Sequence, residues 1–240
     1  MIRRALVPLA FAMTTTALAA PAPAPKIATD RDNRDLDETR RPRITQTFNE
    51  DFSKGSNEGG WTIGGSEFHF SHGGNNGSYI ESRNNDTFAP QPRTTSGAGS
   101  QFTGDYRARQ VIGVAVDLET LRVDFSAAER PLSLLLISDS GTPEDFSDDC
   151  TAYFLGSEFA PEPGQGWRSY SFVVPSDSPT LPAGWGILEG CPAATPDDAW
   201  SQVIGDVDEL RYFFGDPTFF FIFQQWNTGI DNPSVTVKLQ

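Results

Sequence analysis

The chain has 240 residues, a formal charge of −14 and 12% aromatic residues. A surface this acidic repels nucleic acid and anionic membranes, which removes both as partners. The length suits one β-sandwich domain folded as a single unit.

Residues 1–19 read as a secretory signal, with Arg3 and Arg4 as the charged start, residues 5–13 as the apolar centre and Ala17-Leu18-Ala19 as a small-residue cleavage site. The apolar run falls short of the roughly 20 residues that span a bilayer. No other run of that length follows, so membrane insertion is not expected, and the expected setting is extracellular or periplasmic. Loss of Arg3 and Arg4 with the signal would take the charge from −14 to −16. Residues 20–43, opening APAPAPK and ending RRPR, hold almost no large apolar residue and read as a flexible linker. The folded domain is expected over residues 44–240.

Within it, residues 44–52 open with Phe48 and Phe52 around Asn49-Glu50-Asp51, and a Gly- and Asn-rich turn then delivers Trp61 and Ile63. Strands are expected at 67–70 and 78–82, with a long surface loop over 84–100. The clearest signal is the stretch 101–125, where Ile112, Val114, Val116 and Leu118 recur at every second position and the alternation resumes at Leu121, Val123 and Phe125. A period of two marks a strand with one face on a core and one toward water. Residues 132–137 are almost uniformly apolar, as in a strand covered on both faces. An acidic loop leads to 151–155. In 167–174, Tyr170, Phe172 and Val174 share one side, and Pro175 ends the run. One helix is expected from Thr195-Pro196-Asp197-Asp198, a capping hydroxyl, a first-turn proline and acids at the positive end of the dipole. Trp200, Val203 and Ile204 form its buried stripe and Gly205 its stop. Strands at 210–214, 219–223 and 234–239 complete about ten. Many short strands with a single short helix indicate an all-β fold, a two-sheet antiparallel sandwich.

Cys150 and Cys191 are the only cysteines. An oxidising compartment would pair them, closing a loop of about 40 residues and restricting the unfolded chain by roughly 4 kcal/mol. The alternative is two unpaired thiols.

No nucleophile elbow, phosphate-binding loop or zinc-protease motif is present, and abundant acids do not by themselves place two carboxylates across a cleft. An enzyme is therefore not expected. His69 and His72, three apart at a strand end, point to opposite faces rather than sharing a metal. Hard oxygen donors for calcium come from Glu50 and Asp51 near the first strand and Asp231 and Asn232 before the last. Equally, Glu50 and Asp51 are solvated and Asp231-Asn232-Pro233 is a turn. Exposed tryptophans would serve as sugar platforms. Trp61, Trp167 and Trp200 lie on apolar stripes and read as core, whereas Trp185 and Trp226 lie in turn-like contexts and are the candidate ligand-binding residues.

Several segments in order resemble the laminin B (laminin type IV) domain and the wider group of carbohydrate-binding-module-like jelly rolls: FNEDFSKGSNEGGWTIGG, GGNNGSYIES, SQFTGDYRARQVIGVAVDL, GWRSYSFVV, AWSQVIGDVDELRY and GIDNPSVTVKL. The resemblance implies a jelly-roll sandwich, an extracellular setting, no catalysis and a structural Ca2+ for which Glu50 and Asp231 are the matching positions. Pro233 after Asn232 departs from the pattern. The expected function is a secreted, non-catalytic adhesion module recognising a glycan or an extracellular matrix-like protein. The alternatives are a structural spacer without a small ligand and a small glycan-active enzyme.

Overall fold

The computed structural model describes residues 44–125, 129–142, 144–145, 147–219 and 221–239. The expected signal (1–19) and linker (20–43) lie outside the described residues. Among those described, eleven strands and one helix follow in order. They are β1 (Thr45–Asn49), β2 (Ser66–Phe70), β3 (Tyr79–Thr87), β4 (Arg93–Thr95), β5 (Val111–Val123), β6 (Pro131–Ser138), β7 (Cys150–Phe159), β8 (Arg168–Val173), β9 (Trp185–Ile187), α1 (Pro196–Gly205), β10 (Glu209–Phe214) and β11 (Gln224–Lys238).

The strands form two antiparallel sheets. The first has the order β2-β3-β11-β5-β8, with β1 also on β11, and the second the order β4-β10-β6-β7-β9. Set aside β1, β2 and β9, and number the remaining eight from β3. The sheets then read 1-8-3-6 and 2-7-4-5, the connectivity of a jelly roll. The fold is thus an all-β jelly-roll sandwich, as expected. Inward residues of both sheets build one core: Val114, Val116, Leu118, Tyr170, Phe172 and Ile230 from the first, and Leu132, Leu134, Leu136, Ala152, Leu210, Tyr212 and Phe214 from the second. Trp61 stacks on Tyr212 and meets Phe102 edge-on, which closes one end.

The helix forms as its sequence predicts. Thr195 accepts a hydrogen bond from the Asp198 N–H at 3.1 Å, Pro196 occupies the first turn, and Trp200, Val203 and Ile204 are buried.

Four expectations are corrected. The central strand starts at Val111, not near Gln101, and register shifts opposite Thr236/Val237 and Asn227/Thr228 interrupt its alternation. Ile112 is consequently 37% exposed and Val111 buried, while Thr120 rather than Leu121 continues the inward phase. The span 84–100 is not one loop, because β3 runs to Thr87 and β4 pairs with β10. Residues 219–223 make no described strand, and Phe219, Ile222 and Phe223 are exposed. The last strand begins ten residues early, at Gln224.

Cys150 and Cys191 are bonded, with Cα atoms 4.5 Å apart. The bridge fastens the start of β7 to the segment before α1. Cys150→Ser together with Cys191→Ser is expected to cost about 2–4 kcal/mol of stability, measured as a lower urea midpoint than that of the parent under non-reducing conditions.

Candidate functional site

Because the inward residues are spent on the core, the outward residues of the second sheet are free to form a site. They fall into cross-strand rows. Thr95, Glu209, Ile137 and Thr151 make one, and Arg93, Arg211, Leu135, Tyr153 and Gly186 the next. Gly186 has no side chain and the Tyr153 ring fills that space, since a Cβ there would lie 2.5 Å from the ring. The tyrosine is therefore laid against the backbone of β9 and remains half-buried.

Two recesses adjoin over these rows. One, of about 590 Å³, is bounded by Thr95, Ile137, Thr151, Asp139, Asp149, Asp208 and Glu209. The other, of about 370 Å³, is bounded by Phe88, Leu135, Leu188, Phe213 and Phe219. Arg211 lines both. Its Nε donates to Glu209 Oε1 at 2.5 Å and its Nη1 to Gln91 Oε1 at 3.0 Å, which fixes the guanidinium where the recesses meet. The result is a cleft with an acidic end, an arginine at its centre and an aromatic end.

The acidic end is crowded. Burial, aided by Asp206 and Asp139, pushes the Asp208 carboxyl up to about 6, although its Oδ2 accepts the Asp139 N–H at 3.0 Å. Burial and the neighbouring Asp148, Asp139 and Asp145 raise Asp149 as well. Its Oδ1 is buried without a hydrogen-bond partner. The bridge to Cys191 starts one residue later, at Cys150.

The tryptophans expected to bind ligand are elsewhere. Trp226 is 0% exposed, with Phe214 edge-on at 6.1 Å and the Arg130 guanidinium 5.1 Å from its ring. Trp185 is 8% exposed, packed on Trp200 and Phe154. Both belong to the inward phase of a strand, β11 and β9, so neither offers a ring face. Trp167, read as core, is instead half-buried on the outer side of the first sheet. It lies over Gly229 beside Tyr79 and donates its Nε1–H to the Gly73 carbonyl at 2.9 Å.

The four expected calcium donors are divided between two places. Glu50 is buried, and its oxygens accept the N–H groups of Phe52 at 3.0 Å and Gly59 at 2.8 Å, tying down the loop before Trp61. Asp51 is exposed, and hydrogen bonds from Ser53 hold its carboxyl below the usual range. Asp231 and Asn232 instead gather with Asp117, the cross-strand neighbour of Asp231. Asp231 accepts from the N–H groups of Asn76 and Asn232, and Asp117 Oδ2 accepts from the side-chain amides of Asn75 and Asn232, each at 2.8 Å. Burial, with Asp117 adding to it, pushes Asp231 up to about 6. Among the described residues, neither acid has an arginine or lysine partner, and no group of three or more His, Cys, Asp or Glu side chains gathers as a metal cluster.

Sequence reasoning missed Tyr153, Arg211, Asp149 and Asp208. Tyr153 and Arg211 alternate with the inward Ala152, Leu210 and Tyr212, so their outward phase was readable. Which sheet face forms a recess was not.

No family model matches the chain, and no curated protein matches it. Remote likenesses exist among solved structures. A family 11 carbohydrate-binding module from Clostridium thermocellum, in complex with a β-1,3-1,4-mixed-linked tetrasaccharide, has a TM-score of 0.41 and 9% identity, over 82% of this chain and 90% of that one. PfGH50B has a TM-score of 0.35 and 10% identity, over 75% of this chain and 22% of that one. SGBP-B, from a complex xyloglucan utilization locus in Bacteroides uniformis, has a TM-score of 0.33 and 12% identity, over 75% and 47%. At such distances the ligands of those proteins do not carry over.

The raised carboxyls make stability depend on pH. Asp208 and Asp231 move from 3.8 to about 6 on folding, so the folded chain holds their protons more tightly than the unfolded chain does. Their contribution is fully present below pH 3.8 and is lost as the pH rises through about 6. Asp208→Asn is therefore expected to flatten the fall in stability across that window relative to the parent, in urea titrations at several pH values. An unchanged slope would show that Asp208 is not perturbed.

Proposed function

We propose that this chain is a secreted, non-catalytic glycan-binding module whose site is the cleft on the outer face of the second sheet. The observation that carries the reading is the meeting of the two recesses at Arg211, whose guanidinium is held by Glu209 and Gln91. Carbohydrate recognition combines an aromatic ring under the apolar face of a pyranose with fixed polar groups for its hydroxyls. Phe88, Phe213 and Phe219 supply the first, and Arg211, Gln91 and Glu209 supply the second. The ordered segments that resemble laminin B domains favour the adhesive and exported part of the reading.

Glycan-array screening of the folded domain tests it. Binding should weaken at least about tenfold in Phe219→Ala and in Arg211→Ala, since a stacked ring or a charged hydrogen bond is worth about 1–3 kcal/mol. Melting of Phe219→Ala should be nearly unchanged, because that side chain is exposed, whereas Arg211→Ala should melt slightly lower through loss of its bonds to Glu209 and Gln91. Silence across a broad array would remove the reading.

One observation favours a second reading, glycoside cleavage. Two cleft carboxyls, Asp149 and Asp208, are raised as a general acid must be. Release of reducing ends from a polysaccharide, abolished in Asp208→Asn, would establish it.

A structural calcium ion is a separate proposal. Asp117, Asp231 and Asn232 supply hard oxygen donors, and a cation there would provide the charge that the two buried acids lack. Glu50 and Asp51, occupied with their own loop, are not part of that set. Chelation is expected to lower the melting temperature of the parent and to leave Asp231→Asn unmoved. Unchanged melting of the parent would remove the ion.

A further inference from the structure

The turn between β2 and β3, residues 71–78, reaches over the acid pair Asp231 and Asp117, and the fold treats its two asparagines unequally. Asn75 commits its side-chain amide to Asp117 at 2.8 Å. Asn76 commits only its main-chain N–H, to Asp231 Oδ2 at 3.2 Å. Its side chain is exposed and has no hydrogen-bond partner among the described residues. Gly77, which follows, is exposed as well. Its carbonyl accepts the Gly74 N–H at 2.9 Å, but its own N–H is unpaired among the described residues. Glycine carries no side chain, and a Cβ built there would meet nothing within 4 Å, so nothing crowds the approach to that nitrogen. Asn76-Gly77 is the only asparagine–glycine pair in the chain. Elsewhere the asparagines are obstructed: the Asn57 and Asn85 amides are bonded to the Trp61 and Ile63 carbonyls, and Asn232 precedes a proline, which has no N–H.

We propose that Asn76 is a site of spontaneous covalent modification in the folded protein, where the Gly77 nitrogen attacks the Asn76 side chain and converts the residue to aspartate or isoaspartate. Hydroxide removes the Gly77 amide proton. The nitrogen then bonds to Asn76 Cγ, the Cγ–Nδ2 bond breaks, and ammonia leaves with a proton drawn from water. Water opens the resulting cyclic imide. Attack at Cγ gives aspartate, and attack at the main-chain carbonyl carbon gives isoaspartate, whose chain runs on to Gly77 through Cβ and Cγ. One water is consumed and one ammonia released, with nothing oxidised or reduced. Either product adds a carboxylate to the turn over Asp231 and Asp117. Among the described residues no arginine or lysine pairs with those acids, so the new charge is repelled. Isoaspartate also lengthens the chain between the Asn76 N–H, which holds Asp231, and the Gly77 carbonyl, which holds Gly74. The turn therefore loosens as the protein ages, whatever the cleft binds.

The test is incubation of the purified protein at neutral and mildly alkaline pH with chelator, so that no bound cation masks the added charge, followed by peptide mass spectrometry, isoaspartate detection and melting. Residue 76 should gain the mass of OH replacing NH2, with isoaspartate among the products and faster conversion at the higher pH. Asn76→Gln keeps the main-chain N–H and should lose the signal, because the longer glutamine side chain must close a larger ring. The aged parent should melt below the fresh parent, while aged Asn76→Gln keeps its fresh melting temperature. Fresh Asn76→Asp, which carries the charge without the lengthened chain, should already melt below the fresh parent. Absence of conversion at residue 76, or equal conversion at Asn75 or Asn84, overturns the proposal. Conversion with unchanged melting overturns the loosening of the turn.

Discussion

The structure depends on strand β11, which is hydrogen-bonded along both edges. One edge pairs with β5 throughout; the other pairs with β3 over its first half and with β1 over its second. Since β3 and β1 bracket the loop that carries Glu50, Trp61 and the Asn75–Asn76 turn, this one strand holds the distant ends of the domain together. Its inward residues Trp226, Ile230, Val235 and Val237 are buried, each worth about 1.5–3 kcal/mol by removal from water. The changeover between partners falls at a bulge, where Asn232 adopts φ 48° and the Pro233 carbonyl accepts the Glu50 N–H. Asparagine tolerates the left-handed region better than most side chains, which suits it to that place.

The core beneath this strand is not purely apolar. Thr120 and Thr228 face each other across β5 and β11, fully buried, and neither hydroxyl has a hydrogen-bond partner; the Trp226 indole N–H is likewise unpaired. Each such group costs about 1–3 kcal/mol, a cost that the surrounding aromatic burial must exceed. Arg130 adds to the load. Its guanidinium is buried against Phe221 and Trp226, donates to the Phe88 carbonyl and has its pKa lowered by that burial. This end of the sandwich trades stability for a cation held between rings.

The same two-layer constraint produces the cleft. Every strand of the second sheet turns alternate residues away from the core, and at Glu209, Arg211 and Phe213 those residues line the recesses. The outer face of the first sheet is different in kind. There Phe70, Tyr79 and Trp167 lie ring against ring, and Glu81 is bonded by Tyr79 and Arg83 from within the chain. In the cleft Glu209 is bonded to Arg211 and Asp208 to the Asp139 N–H, and the two adjoining recesses rather than unsatisfied acids set this face apart.

Local chemistry was legible wherever it acts over a few residues. Thr195 and Pro196 start a helix because a hydroxyl and a missing N–H satisfy its first turn whatever surrounds them, and Tyr170, Phe172 and Val174 alternate because a pleated strand leaves no other choice. The pairing of Cys150 with Cys191 followed from there being two cysteines. What could not be read was anything set by partners far along the chain. Ile112 changed sides because β5 bulges there, with Thr236 and Val237 of β11 opposite Gly113 and Val111, Trp226 was buried because β11 begins before the turn its sequence suggests, and residues 219–223 form no described strand. The composition and alternation of the chain alone determined two greasy-sided sheets and one capped helix. Only tertiary structure decided which outward face is recessed, that Asp231 meets Asp117 rather than Glu50, and that Arg211 stands between an acidic end and an aromatic end, because each of these depends on register between strands tens of residues apart.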